Sequence, residues 1–435
     1  MTSLRRHIPL ILGANIVYAL CQWTVLIVLA KFGSSQLVGE FALGLAISTP
    51  LMMFSALQLR TLFVTDQENK YNFSDYLTVR LLALSATLIL LLVIVISCQY
   101  NLRIIIVVMT VGLHKAVETL GDIFYGALQK KHHMEKVAFS LVCRSFLSLG
   151  FFIAIFIFSN SLVLAVLGMV AAIIIVMFFY DIPQVYRVLN SSEHQEFKGV
   201  KTEKSNTLSC GINPQSLVRL AASGVPLGMI VCLNSLNINI PRYFLEGYYG
   251  PAEMGIFAAI CYFMRFSSYF ETAVGQVALP RLAAFYAETR QSEFMGLLGK
   301  LLALIIIFGA ICFSVAWFFG SQILTLIYTS EYATHLLAFH LLILAAICGS
   351  VAGLLKVSVD ATKTFAVQIP LFLGVATITF ISCFFLIPQL GIRGAAISLL
   401  LSKVSLVIGY SFMLYQILSK TKKHHPNEIK VITNC

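Results

Sequence analysis

The chain has 435 residues, is 59% hydrophobic and only 11% charged, and carries a formal net charge of +11. Soluble domains carry roughly 25% charged residues, so this composition cannot cover a globular exterior with polar groups and excludes a water-solvated surface. The ten cysteines are scattered singly, without C-x-x-C spacing, and imply neither a disulfide framework nor a metal site.

The elements follow in chain order. The N-terminal "MTSLRRHIPLILGANIVYALCQWTVLIVLA" places Arg5 and Arg6 before an apolar run of spanning length. It is too long for a signal-peptide core and reads as an uncleaved first span. A bilayer core takes about 20 apolar residues per helix. On that measure twelve spans are expected, near 8–30, 37–63, 78–98, 103–128, 137–158, 161–181, 216–240, 252–279, 299–319, 333–356, 365–387 and 392–418. The stretch before the tenth, "SQILTLIYTSEYATHLLAF", also has room for a short interfacial helix.

In the first span Asn15, Tyr18 and Gln22 share one face. The fourth contains "VGLHKAVETLGDIFYGALQKK", in which His114, Lys115, Glu118, Asp122 and Tyr125 fall within roughly one 100° arc. A charge at bilayer depth costs about 2.5–3.5 kcal/mol on insertion scales, so this arc must face protein or water. Lys115 and Glu118 are spaced to pair at i,i+3. Two readings stay open for the arc: a self-neutralising structural network, or the lining of a hydrophilic cavity with ion coupling at Glu118 and Asp122. Arg144 in the fifth span is near enough to the inner end to snorkel.

In the seventh span Asn234 and Asn237 are candidates either for cavity lining or for glue between helices. Pro226 and Pro241 predict bending there, since each removes a backbone hydrogen bond. The eighth carries a stripe of Tyr262, Arg265, Tyr269, Thr272 and Gln276, with Arg265 close to mid-span. A guanidinium matches phosphate oxygens with a fork of donors, and the tyrosines offer rings and hydroxyls suited to sugars. Lys403 lies centrally in the twelfth span. Four deep cations, Lys115, Arg144, Arg265 and Lys403, favour an anionic cargo, for which a phosphate head on an apolar tail is the natural candidate.

Charge sets the expected orientation. With both termini inside, most Lys and Arg fall on cytoplasmic segments and helix ends, Arg60 and Arg80 among them, while outer segments take Lys31, Arg103, Arg242 and Arg393. Basic loops resist translocation, and the inner loops would lie near anionic headgroups. The net charge therefore needs no nucleic-acid partner. The one long polar interior segment divides the chain into a six-helix lobe (1–184), a cytoplasmic linker (185–215), a second six-helix lobe (216–419) and a basic cytoplasmic tail (420–435). "FGSSQLVGEFALGLAI" after the first span echoes "YYGPAEMGIFAAI" after the seventh. Six spans per half make the two halves parallel repeats.

The segments "AKFGSSQLVGEFALGLAISTPL", "EGYYGPAEMGIFAAI", "ALPRLAAFYAE" and "IPQLGIRGAAISLLLSKV" together resemble the polysaccharide flippase branch of the multidrug/oligosaccharidyl-lipid/polysaccharide (MOP) exporter superfamily. The resemblance implies an all-α integral membrane fold of two six-helix lobes around a V-shaped central cavity. It implies a bacterial plasma-membrane transporter whose cargo is a polyprenyl-diphosphate-linked oligosaccharide, moved by alternating access. It implies coupling to H⁺ or Na⁺, no further cofactor or metal, and a polysaccharide polymerase and chain-length machinery as neighbours. No sharp motif transfers with it, so the site residues rest on the helical faces alone.

Two rival readings are distinguishable. A cation-coupled multidrug exporter of the same superfamily commonly has an acidic residue in its first helix, and residues 8–30 contain none. A membrane polymerase or acyltransferase would present catalytic groups on sizeable outer loops, and these loops are short.

Overall fold

The computed structural model describes residues 2–66, 70–196, 214–362 and 368–424. The described chain is helical throughout, and its helices form two compact units, Met1–Leu236 and Asn237–Cys435.

The first unit begins with α1 (Thr2–Phe32) and α2 (Ser35–Ser55), the latter capped by the Ser34 hydroxyl on the Leu37 amide. The expected second span then breaks. Leu57 and Gln58 both take left-handed backbone torsions, at φ 47° and 49°, before α3 (Leu59–Thr65) resumes. Next come α4 (Phe73–Ser97), opened by an Asn72–Asp75 capping box, and α5 (Leu102–Lys130), capped by Asn101. α6 (Met134–Ser159) and α7 (Leu162–Val176) follow. A single π-helical turn, Met177–Asp181, joins α7 to α8 (Ile182–Glu196).

α5 is the centre of this unit and packs against α2, α3, α4 and α7. The contacts are close because small residues sit at the crossings. A methyl group on Gly44 of α2 would lie 2.9 Å from Val111, and one on Gly112 of α5 would lie 2.3 Å from Leu91 of α4. α1 packs on α6, and α6 on α7.

α9 (Pro214–Cys261) runs through the unit boundary and through Pro226 and Pro241. Its one departure from helical torsions is Gly250, at φ 82°, a value a glycine adopts without steric penalty. The first part of α9 docks onto the end of α2, where methyl groups on Gly224 and Gly228 would touch the Leu57 and Phe54 carbonyls.

The second unit continues with α10 (Phe263–Ala287), α11 (Gln291–Ile327), the short α12 (Ser330–Ala333), α13 (Leu336–Asp360), α14 (Gln368–Leu390) and α15 (Ile392–His424). α13 is its centre, packed on α10, α11 and α15. α12 occupies the place expected of a short helix before the tenth span.

Among the described residues, eleven stretches are long and apolar enough to cross a membrane. One of them, Pro214–Arg265, is 52 residues long. At about 1.5 Å per residue it exceeds twice the hydrocarbon thickness, and the Gly250 break divides it; eleven such stretches stand against the twelve spans expected. Large apolar side chains such as Phe158, Phe179 and Phe318 are exposed on these helices, the arrangement of a surface solvated by lipid. The chain is a multi-pass membrane protein.

Candidate functional site

The polar arc predicted on α5 forms the centre of a charged network inside the first unit. Its first station is Glu118. The Lys115 ammonium, one turn earlier, donates to Oε2 at 2.7 Å, so the expected i,i+3 pair is formed. The Tyr18 hydroxyl of α1 donates to Oε1, and Arg144 Nη2 of α6 lies 3.7 Å from the same oxygen. Three helices therefore converge on one carboxylate. Arg144 does not snorkel: its side chain is only 6% exposed. It reaches Glu118 because Gly121 leaves space, a methyl there standing 3.0 Å from Nη1. A carboxylate and two cations at this depth satisfy one another more cheaply than any could alone.

The second station is Tyr125, one turn past Gly121. Its ring lies between two guanidiniums, with Arg144 at 5.3 Å and Arg60 of α3 at 6.0 Å from the centroid. Its hydroxyl is 3.0 Å from Ser140 Oγ, which donates to Asp181 at 2.5 Å. Asp181 is 1% exposed and closes the π-helical turn; such turns often mark functional positions.

The third station is Asp122. Arg60 Nη1 donates to Oδ1 at 2.7 Å, while Arg60 Nε and Nη2 share the Gln129 amide oxygen at 3.0 and 2.8 Å. This is the open end of the network, with side chains 30% and 38% exposed. Arg80 of α4 is its buried counterpart. Expected at the cytoplasmic surface, Arg80 is instead fully buried, and none of its guanidinium nitrogens has a hydrogen-bond partner among the described residues. Asp122 is the carboxylate whose field reaches it. Arg80 stayed hidden in the sequence because it sits beside the polar "YNFSDY" turn, and only packing against α5 shows that α4 has already entered the bundle there. His114 is likewise buried, at 1% exposure, with both ring nitrogens unpartnered among the described residues.

The predicted residues of the second unit do not join one cluster. Arg265 sits in the first turn of α10, exposed, with its guanidinium 5.3 Å from the Tyr262 ring. The side chain of Tyr269 lies outside the described residues, as do those of Thr272 and Gln276. Lys403 of α15 lies along Gly349 of α13, its Cδ 3.6 Å from where a methyl group would stand. Asn237 is buried and donates to Ser402 Oγ at 3.4 Å, joining α9 to α15 as interhelical glue. Asn234, on the same helix, is exposed. In the first unit, the Asn15 amide returns to the Ile11 carbonyl at 2.8 Å, and Gln22 is half-buried.

Two further features escaped the helical-face reading. Lys356 and Asp360 of α13 pair at 2.7 Å, and Asp360 also accepts from Gln368. An apolar cavity of about 330 Å³ lies between α10, α11 and α13, lined by Phe263, Phe308, Cys312, Phe339 and Ile347 among others. No group of three or more His, Cys, Asp or Glu side chains is placed to hold a metal among the described residues.

The strongest chemistry on the molecule is thus in the first unit. Lys115, Arg144, Arg60 and Arg80 outnumber Glu118, Asp122 and Asp181, so the network carries a positive excess. Arg60 and Lys115 are its partly exposed cations, on stems long enough to turn toward an anion.

Comparison with known proteins agrees with this architecture. No family model matches the chain. The chain is 27% identical over 411 residues to the capsular polysaccharide biosynthesis protein CapF of Staphylococcus aureus, covering 93% of this chain and 97% of that one. Its fold matches an inward-facing MATE-family multidrug resistance transporter of the MOP superfamily, with a TM-score of 0.73, 11% identity, and coverage of 94% and 96% of the two chains. It also matches the lipid II flippase MurJ in an inward closed conformation, with a TM-score of 0.70, 12% identity, and coverage of 93% and 86%. The fold expected from the Gly-, Pro- and aromatic-rich segments is the one these solved transporters share.

Proposed function

We propose that this membrane protein, built on the fold of MOP-superfamily transporters, is a flippase that moves polyprenyl-diphosphate-linked oligosaccharides across the bacterial plasma membrane. The observation that carries the reading is the positively biased network around Glu118 and Asp122, held at membrane depth on α5. Buried charge is expensive in a bilayer and is kept where it serves an ion or a charged cargo. A diphosphate supplies a counter-charge that competes with Glu118 for Lys115, with Arg144 adding to the positive field, and Arg265 is an exposed cation of the second unit. Tyr262 and Tyr269 would contact sugars, and Lys403 would add to the positive field. The likeness to a capsular polysaccharide biosynthesis protein supports a saccharide cargo, and the shared fold with a lipid II flippase supports a lipid-linked one.

In this reading the cycle is alternating access with both termini cytoplasmic. Glu118 and Asp122 exchange H⁺ or Na⁺ as their ion pairs open and close, and product passes to polymerase and chain-length machinery. The multidrug exporter is the nearest rival, because the same fold serves it. The absence of a carboxylate from residues 8–30 and the cationic excess of the network favour an anionic cargo. The test is export of surface polymer at matched protein levels in Lys115→Ala and Arg265→Ala variants. Loss of polymer with accumulation of lipid-linked repeat units inside is expected; unchanged export of polymer would remove both residues from the mechanism.

A further inference from the structure

Arg80 is the least explained residue of the network. Its guanidinium is fully buried without a hydrogen-bond partner among the described residues, one of the costliest arrangements a side chain can hold. On α4 it lies between Tyr76 and Leu84, which pack against α5 at Ile123 and Ala116, and Asp122 is the acid whose field it feels. Asp122, however, is held by Arg60, the exposed arginine of the pair. The same stretch of α5 therefore faces two arginines, one accessible and bonded to Asp122, one buried and unbonded.

A second observation bears on the same place. α3, which carries Arg60, leaves α2 through Leu57 and Gln58, two successive side-chain-bearing residues in the left-handed region. Such torsions are strained for anything but glycine and persist only where surrounding contacts impose them. On the far side of the turn the polar contacts of Arg60 are with Asp122, Gln129 and the Tyr125 face. α3 is thus a short helix on a strained turn, seated in the apolar core by Leu59 and Phe63 and tethered to α5 through polar contacts by the Arg60 guanidinium. The start of α9 rests on that turn, through Gly224 and Gly228.

We propose that Arg60 is a cargo-binding residue and Arg80 its reserve: when the diphosphate takes Arg60, the Asp122 carboxylate passes to Arg80 and α3 loses its polar tether to α5. The exchange rests on the diphosphate reading given above. It gives Asp122 a second cationic partner once Arg60 is taken, and it gives the buried arginine an acceptor. Phosphate oxygens compete well for Arg60 because the guanidinium can turn its whole fork to them, whereas Asp122 engages one nitrogen. Loss of that tether loosens the strained turn under α9. Arg80 is a positioning residue here, since it is too deeply buried to touch cargo.

The test uses the full-length protein in lipid nanodiscs, with farnesyl diphosphate as the probe and farnesol as its uncharged control. In the wild type, farnesyl diphosphate but not farnesol should raise hydrogen exchange of residues 56–66. Arg80→Met should raise the thermal stability of the unliganded protein, because an unpaired buried charge is gone. It should also weaken probe binding about a hundredfold, because release of Arg60 would then strand Asp122. Adding Asp122→Asn to Arg80→Met should restore binding, while Arg60→Ala should abolish it in either background. Gain of stability with loss of affinity, rescued at Asp122, is a pattern that a merely structural arginine would not give. Binding unaffected by Arg80→Met, or a loss that Asp122→Asn fails to rescue, would overturn the exchange and leave the cargo reading standing. If Arg80→Met does not fold, unchanged exchange of residues 56–66 in the wild type on binding the probe would overturn it. A folded wild type that binds no farnesyl diphosphate would remove the cargo reading and this inference together.

Discussion

Replacing Glu118 by glutamine separates the two readings that the polar arc of α5 leaves open. The glutamine keeps the shape and one acceptor oxygen for Tyr18, but removes the negative charge between Lys115 at 2.7 Å and Arg144 at 3.7 Å. Breaking a buried pair from one side costs about 3–5 kcal/mol. The lower end applies here, because Lys115 has a long stem, is 19% exposed and can turn toward water, whereas Arg144 cannot. A loss of about 3 kcal/mol in the first unit corresponds to a fall in melting temperature of roughly 6–12 °C for a body of about this size. The assay is thermal unfolding in nanodiscs, paired with equilibrium binding of farnesyl diphosphate below the melting range. A purely structural network predicts lower stability and weaker binding together. The cargo reading predicts lower stability with tighter binding, about tenfold or more, because Lys115 and Arg144 lose their internal competitor. An unshifted melting temperature would refute the energetic account of the network, and weaker binding would refute its role in receiving the cargo.

Gly121→Ala places a methyl 3.0 Å from Arg144 Nη1; it should displace the guanidinium from Glu118 and Tyr125 and reduce export while protein levels persist, measured as surface polymer per copy of transporter. Gly112→Ala meets Leu91 at 2.3 Å and should cost about 1–3 kcal/mol by overpacking, read as a lower melting temperature that Leu91→Ala partly restores. Gly250→Ala forces a side chain into the left-handed region at φ 82° and should destabilise the break within α9 by about 1–2 kcal/mol, visible as increased proteolytic nicking there. Tyr18→Phe removes one donor from Glu118 and should cost about 1 kcal/mol or a little more, without altering the selectivity for diphosphate over alcohol probes.

The sequence by itself determined the solvent of the protein, its many-helix architecture and the polar face of α5. Each follows from local quantities: the length and polarity of a run, and the 100° step that brings Lys115, Glu118, Asp122 and Tyr125 to one side. It also placed Lys115 and Glu118 in a pair, because i,i+3 contacts lie within a single turn. Only the tertiary structure decided who answers across helices. Tyr18 and Arg144 meet Glu118, Arg60 meets Asp122, and Ser140 links Tyr125 to Asp181, over sequence separations that no periodicity encodes. The break of the second span at Leu57 and Gln58 was equally invisible, since neither residue favours left-handed torsions and packing imposes them. Arg80 shows the limit most plainly: near a polar turn, an arginine reads as a surface charge until a neighbouring helix covers it. Intrahelical geometry is fixed by the hydrogen-bonded repeat of the backbone, whereas the register between helices is set by which small residues let them approach, and that is a property of the assembled bundle.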